Sequence, residues 1–345
     1  MNTSLPTLRP LALLFLLACL VACGSTHPKT ATRPSPKPSP SASPSPSPSP
    51  SPTVPEPALP PVQAGPLPGQ TLPLSGPLAE TLLIQVENTA PARPQAGLGA
   101  AAVVFQYLTE GGITRMSALF HRVPGVVGPV RSVRFSSVAL YQRMGAVQMG
   151  SGGSAPVLDR ITASGIGAFI NDFDGGKHFF RWGGRVAPHN LYTSQAQMID
   201  ASNRHYQPPK SDDFARSTTW AGTTPAAQVD IPADRLTFNY AGGTYDVVSD
   251  GSEETDMIYG VLHPHSVVVM HVKQWVTNMC PPGHGCLMDY DLASGGAAEF
   301  YANGTEQTGG WSPASNGPRT PLVFTDASGA VLALPPGLMW VVLAP

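Results

Sequence analysis

Arg131 and Arg134 stand three residues apart in the run Gly128-Pro129-Val130-Arg131-Ser132-Val133-Arg134. A guanidinium is a rigid fork that fits a carboxylate or a phosphate, and it keeps its charge when partly buried. Arg93 and Arg115 offer the same chemistry. From residue 80 to 205 there are ten arginines against one lysine. Two roles are open to each of the four: holding an anionic ligand, or closing an internal ion pair with a carboxylate such as Glu110 or Asp172. His189 and Asn190 follow Pro188. A loop histidine can serve as general acid or base, and a neighbouring asparagine can steady an oxyanion. The plainer reading is a histidine that pins its own loop by hydrogen bonds. His189, Glu110 and Asp172 form the candidate catalytic set. Arg93, Arg115, Arg131, Arg134 and Asn190 form the candidate binding set.

Other motifs carry less. Gly152-Gly153-Ser154-Ala155-Pro156 is not a nucleophile elbow, because Pro156 stands where the last glycine belongs. Gly150–Gly153 ahead of a helix could cradle an anion, though a tight turn explains it as well. Asn171-Asp172-Phe173-Asp174-Gly175 has the start of a calcium loop without its later ligands, so a turn is the better reading. His263-Pro264-His265 alone makes no metal site. Cys280 and Cys286 flank a Pro-Pro-Gly turn and read as a disulfide; two thiols and His284 are too few for zinc. No metal and no cofactor is implied.

The elements that position these residues fall into two groups. In the first, Thr81–Val86 is apolar and β-prone. Ala101–Leu108 and Ile113–His121 flank Thr109-Glu110-Gly111-Gly112 as a hairpin. Arg131–Met144 has helical spacing, with Pro129 near its start. That predicts Arg131 and Arg134 on one face of a helix, in a first turn whose dipole disfavours cations. Ala146–Met149 and Ile166–Ile170 read as strands, and Ala155–Ala163 as a helix. Ser194 and Gln197 form a capping box for a helix running to about Arg204. Pro208 to Gln228 is polar and turn-rich. After Ile231 the pattern is short strands: Leu236–Tyr240, Thr244–Val248, Ser266–Val276, Ala298–Tyr301, Leu322–Thr325, Val331–Leu334 and Leu338–Leu343. Such spacing suggests a small antiparallel barrel or sandwich. The fold class is α+β: a mixed α/β N-terminal module followed by a smaller, mostly antiparallel β domain.

Charge divides along the same line. Residues 80–205 carry 11 Lys and Arg against 7 Asp and Glu, about +4 net; residues 206–345 carry 5 against 14, about −9. Neither half has the dense basic patch of a nucleic-acid binder.

The first residues are of another kind. Leu11 to Ala22 is apolar but too short for a ~30 Å hydrocarbon core, which suits a signal-peptide core. It ends in Leu20-Val21-Ala22-Cys23-Gly24-Ser25, which resembles the lipobox of bacterial lipoproteins; Cys19 is a second, less suitable candidate. That resemblance implies cleavage before Cys23 and acylation of its thiol, hence a membrane anchor. From Pro28 to Pro61 serine and proline alternate. Proline fixes φ and removes a donor, so this stretch is an extended spacer rising ~3.1 Å per residue. The expected division is a leader at 1–22, a lipidated cysteine and tether at 23–69, an α/β module at 70–208, a linker at 209–229 and a β-rich domain at 230–345.

Four motifs then stand in a distinctive order: Ala92-Arg93-Pro94-Gln95-Ala96-Gly97-Leu98, Glu110-Gly111-Gly112-Ile113-Thr114-Arg115, Gly128–Arg134, and Ala187-Pro188-His189-Asn190-Leu191-Tyr192-Thr193-Ser194. In wording and order they resemble the YerB-like bacterial lipoproteins, a two-domain family of unknown function. Gly310-Trp311 and Gly337-Leu338-Met339-Trp340 resemble its C-terminal domain. The resemblance implies an extracytoplasmic lipoprotein and supplies no reaction. At Tyr245-Asp246-Val247 the chain departs from the family, which tends to place an arginine after that tyrosine.

Three functions follow as expectations. The first is binding of an anionic envelope ligand, such as a wall glycopeptide or polymer, through the arginines. The second is a wall-acting hydrolase or transferase using His189 with Glu110 or Asp172. The third is an envelope assembly factor that docks a protein.

Overall fold

The computed structural model describes residues 62–345 except 165–168, 174–175, 204–213, 284 and 316–319. The leader, Cys19, Cys23 and the Ser/Pro stretch to residue 61 lie outside the described residues, as do Asp174, Gly175, Arg204 and His284.

Three apolar runs make the centre of the first half. They are β1 (Leu82–Glu87), β2 (Val103–Leu108) and β3 (Thr114–Phe120). All of β1 and β3 is buried, as continuous apolar runs require when both faces of a sheet are covered. β2 and β3 form the expected hairpin around Glu110–Gly112. Next come α1 (Phe135–Met144), β4 (Val147–Gly150), α2 (Ala155–Ala163) and β5 (Phe169–Asn171). β4 lies parallel to β1, and β5 parallel to β4. A small second sheet holds β6 (Phe180–Trp182) and β7 (Leu191–Ser194) as antiparallel neighbours. α3 (Gln195–Ser202) follows, with the Ser194–Gln197 capping box in place.

α1 begins four residues later than its periodicity predicts. Residues 130–133 spend their backbone groups on neighbours instead of on a helical ladder. Arg131 N–H donates to the Gln85 carbonyl at 2.9 Å, and Val133 N–H to that of Gly152 at 2.9 Å. The Arg131 carbonyl accepts from Ser151 N–H at 2.9 Å. Arg134 becomes the N-cap, with its own N–H on Ser137 Oγ at 2.7 Å. Arg131 therefore sits on extended chain, and the two arginines do not share a helical face.

The second half is mostly strands. β8 (Gln228–Ile231), β9 (Leu236–Ala241) and β10 (Thr244–Ser249) form an antiparallel sheet. The stretch expected as one strand from Ser266 to Val276 is two. β11 (Ser266–His271) ends where the chain leaves the main sheet, and β12 (Gln274–Val276) pairs antiparallel with β13 (Met288–Tyr290). The break falls at exposed Lys273, ahead of exposed Trp275 and Val276. β14 (Gly296–Ala302), β15 (Thr305–Pro313), β16 (Leu322–Asp326) and β17 (Met339–Ala344) complete the series. Val331–Leu334 is not a strand; it makes isolated bridges from Val331 to Thr325 and from Leu334 to Arg216.

The two halves share one sheet. Its path runs β15-β14-β11-β17-β2-β3-β1-β4-β5, with Thr224–Pro225 at the β15 end. It is an open path where the strand spacing suggested a separate small barrel or sandwich. β17 is parallel to both its neighbours, β11 on one side and β2 on the other. All six of its residues are buried, Trp340 completely. The fold is α+β, a mixed first half followed by mostly antiparallel strands, joined by this parallel insertion.

Candidate functional site

The site grows from a row of side chains across the sheet. Leu343, Tyr107, Arg115 and Glu87 are successive cross-strand partners on β17, β2, β3 and β1. Aligned partners point to the same face. Two residues along, the next row on that face contains Gln85 and Ser117. Tyr107 Oη donates to Gln85 Oε1 at 2.8 Å and lies 2.7 Å from Ser117 Oγ. A polar seam thus runs inside the module and ends in charge.

Glu87 is fully buried; Thr89 Oγ1 donates to its Oε1 at 2.9 Å, and an arginine and a histidine flank the carboxylate. One oxygen lies 3.3 Å from Arg131 Nε and the other 3.0 Å from His189 Nδ1. The Arg131 contact is an ion pair without hydrogen-bond alignment. Neither terminal nitrogen of Arg131 is paired among the described residues. Arg134 is more committed. Its Nη2 meets Glu110 Oε1, and its Nη1 donates to the Val133 carbonyl at 3.1 Å. The other Glu110 oxygen is buried without a partner. Arg115 lies behind, only 2 % exposed, with one long bond to the Thr114 carbonyl. Burial lowers its guanidinium to about 10, nearby Arg134 adds to the shift, and Glu87 opposes it.

Arg181, on β6, closes the other side. It donates to Asn190 Oδ1 at 2.9 Å and stands 3.9 Å from Asp172 Oδ2. Burial raises the Asp172 carboxyl above the usual range, with Ser151 and Arg181 pulling the other way. Gly152 makes the turn beneath this wall at φ 61, where a Cβ would lie 2.6 Å from the Phe173 ring. Glycine relieves both constraints at once.

These groups surround a cavity of about 800 Å³. Glu110, Arg131, Arg134 and Arg181 line it together with Ser151 and Ser154. Its remaining wall is apolar and comes partly from the second half: Met279, Pro281, Pro282 and Leu287 stand in the β12–β13 loop, which the Cys280–Cys286 disulfide closes. Two contacts hold that loop in place. Leu287 packs among Val133, Phe135, Val138, Val157 and Ile161. Asp289 on β13 takes both terminal nitrogens of Arg160 from α2 at 2.8 Å, and the Arg160 guanidinium lies 3.7 Å over the Phe135 ring.

Of the residues singled out from sequence, Glu110, Arg131 and Arg134 line the cavity. Arg115, Asp172 and Asn190 stand immediately behind it through the contacts above. His189 is reached through Glu87 and follows the lining residue Pro188. Arg93 goes elsewhere. It binds Asn88, Ser249, Asp250 and Glu254 beside a second groove of about 580 Å³. Sequence reasoning missed Glu87, Arg181 and the proline wall. Glu87 carried a usable signal, as the charged end of an apolar strand. Arg181 carried none, because its strand has three residues.

Four guanidiniums (Arg115, Arg131, Arg134, Arg181) meet three carboxylates (Glu87, Glu110, Asp172) here, so the local balance favours an anion. Among the described residues no group of three or more His, Cys, Asp or Glu is placed to hold a metal. No helix among them is long and apolar enough to cross a membrane.

Fold and site together describe a two-part α+β protein of a recurrent type. The model of the N-terminal domain of a family described as "protein of unknown function (DUF3048)" matches residues 75–207, and that of its C-terminal domain matches residues 227–341. The chain belongs to this two-domain family. It is 29% identical over 277 residues to a Bacillus subtilis (strain 168) protein named "Putative lipoprotein YerB", covering 76% of this chain and 80% of that one. The crystal structure of YerB from Bacillus subtilis is similar at a TM-score of 0.64 and 26% identity, over 77% of this chain and 91% of that chain.

Proposed function

We propose that this is an extracytoplasmic protein, anchored to a membrane by a lipid on Cys23, whose first half binds an anionic ligand of the cell envelope. The observation that carries the binding reading is Arg131: its Nε is steadied by buried Glu87, while both terminal nitrogens are unpaired at a cavity. An oriented guanidinium fork is the group that takes a carboxylate or phosphate in two parallel hydrogen bonds. The proposed organisation is the leader at 1–22, the lipidated tether at 23–69, modules at 70–208 and 230–345, and a linker at 209–229. The two family models, at 75–207 and 227–341, support that division. The name of the Bacillus relative supports the anchor.

Two experiments test this. Labelling with a palmitate analogue marks the wild-type chain and not Cys23→Ala; an unlabelled wild type overturns the anchor. Purified wall fragments and an envelope-lipid extract are each offered to both proteins: at least one of the two binds the wild type and binds Arg131→Ala at least about tenfold less, with no soluble fragments released. Equal binding by the two proteins overturns the site.

A hydrolase or transferase is the second reading. A buried carboxylate on Nδ1 is the arrangement that orients a catalytic imidazole. Among the described residues, however, no hydroxyl or thiol hydrogen-bonds to His189. Turnover of wall fragments that His189→Ala abolishes would decide for the enzyme.

A further inference from the structure

We infer that the ligand of the arginine-lined cavity is amphipathic: one compact anionic group on an apolar body, with the charge on Arg131 and the body against the disulfide-closed loop of the second half. This deepens the binding reading above and rests on it.

The cavity is chemically lopsided. Most of its positive charge is already used. Arg134 is held by Glu110, and Arg181 by Asn190 with Asp172 close by. Arg131 alone among these three offers an unpaired fork. One fork suits one carboxylate or one phosphate. A polyanion needs a row of free cations, and the lining provides none.

Among the described residues, the facing wall gives a polar ligand little beyond backbone carbonyls. Pro156, Pro188, Pro281, Pro282, Met279 and Leu287 present carbon and one thioether. Proline has no backbone N–H to offer either. A sugar chain would leave its hydroxyls unmatched there, and unpaired polar groups lose affinity. At the rim, Phe173 is 50% exposed and Met279 41%. Large apolar groups held in water beside a cavity mark where an apolar ligand gains by covering them. The volume of about 800 Å³ lies within the range of small-molecule sites.

The two ends of the site come from different halves of the chain. The first half provides the fork. The second provides the wall, placed by Leu287 and by the Asp289–Arg160 pair. Ligand selection therefore depends on the β12–β13 loop and anion capture on Arg131, so the two can be separated by substitution.

The test is calorimetric titration of the full-length chain in detergent, with protein-free micelles as the blank. The probes are hexanoate, hexyl phosphate, acetate, inorganic phosphate, hexanol and polyphosphate. The expected result is that a hexyl anion binds at least about tenfold more tightly than its bare head group. Whichever head group wins names the source, a carboxylate or a phosphate ester. Arg131→Ala loses that binding. Met279→Ser, at an exposed position, narrows the preference for the hexyl form over its bare head group about threefold or more. Hexanol binding as tightly as the hexyl anions overturns the inference. So does polyphosphate binding more tightly than they do in an Arg131-dependent way, though the binding reading would survive that result. Absence of any Arg131-dependent anion binding overturns both.

Discussion

His189 and Arg131 sit on the two oxygens of one buried carboxylate, at 3.0 and 3.3 Å from Glu87. That carboxylate is cross-strand partner to Arg115, which is almost wholly buried. Charge has thus been taken deep into an apolar sheet, and it stays there only because each group has a compensating neighbour. The arrangement separates residues that hold the site from the one that faces out.

Arg131 is the group that faces out. Arg131→Ala is expected to weaken anion binding by at least about tenfold, and Arg131→Lys to recover only part of it, because an ammonium lacks the planar fork. Titration of the three proteins with one anion checks this. Full recovery by lysine would show that charge alone matters.

His189 is expected to be a positioning residue for Glu87. His189→Ala should lower stability by about 1.5–3 kcal/mol, the scale of one charge-assisted hydrogen bond, and change anion affinity by no more than about threefold. Denaturant melts and titrations on the same preparation measure both. A much larger loss of affinity would put the imidazole in contact with the ligand.

The second half is clamped to the first by Asp289 and Arg160. Asp289→Asn leaves Arg160 without its ionic partner over the Phe135 ring. The expected cost is about 1–3 kcal/mol. Hydrogen exchange should quicken in Gln274–Tyr290 before it does in β11 or β17. Uniform acceleration across the sheet would argue against a local clamp.

Asp234 gives stability a pH dependence. Burial lifts its carboxyl to about 7, Arg235 pulls the other way, and neither oxygen has a hydrogen-bond partner. Between pH ~4 and 7 the folded chain keeps a proton that the unfolded chain has released. The contribution is therefore full below pH ~4 and is lost as pH rises through 7, by up to ~1.4 kcal/mol per unit. Asp234→Asn should remove that slope. Denaturant midpoints from pH 4.5 to 7.5 decide it, and parallel profiles for the two proteins would refute the assignment.

Trp340 tests the shared sheet. It is fully buried on β17, beside Val104 of β2 and Val267 of β11. Trp340→Ala should cost about 3–5 kcal/mol and lower the stability of both halves together. Exchange protection in β3 and in β14 reports each half separately. A loss confined to β14 would show that the halves unfold independently.

Local signals were legible in the sequence. Helix Ala155–Ala163 and the Ser194–Gln197 cap could be read from neighbouring residues, because their causes lie within one or two turns. The start of α1 could not. Its competitor is a set of backbone bonds from Arg131 and Val133 to residues 46 positions back and 19 positions ahead. β15 was missed because Thr305–Pro313 is mostly half-exposed and lacks clean alternation. Glu110, Arg131 and Arg134 were grouped by residue type, and all three line one cavity. Arg93 was grouped with them on type alone, and only the tertiary fold sends it to Asp250 and Glu254. The position of β17 was unreadable, since pairing with β2 spans more than two hundred residues.

That last pairing sets the order in which the molecule can be finished. Every other strand of the shared sheet leaves the ribosome before β17 does. Until it arrives, β2 and β11 each carry an open edge, and neither half can close on its own. A chain built this way completes its shared sheet only after both halves have been made, and until then two strand edges stay open to pairing with the wrong partner.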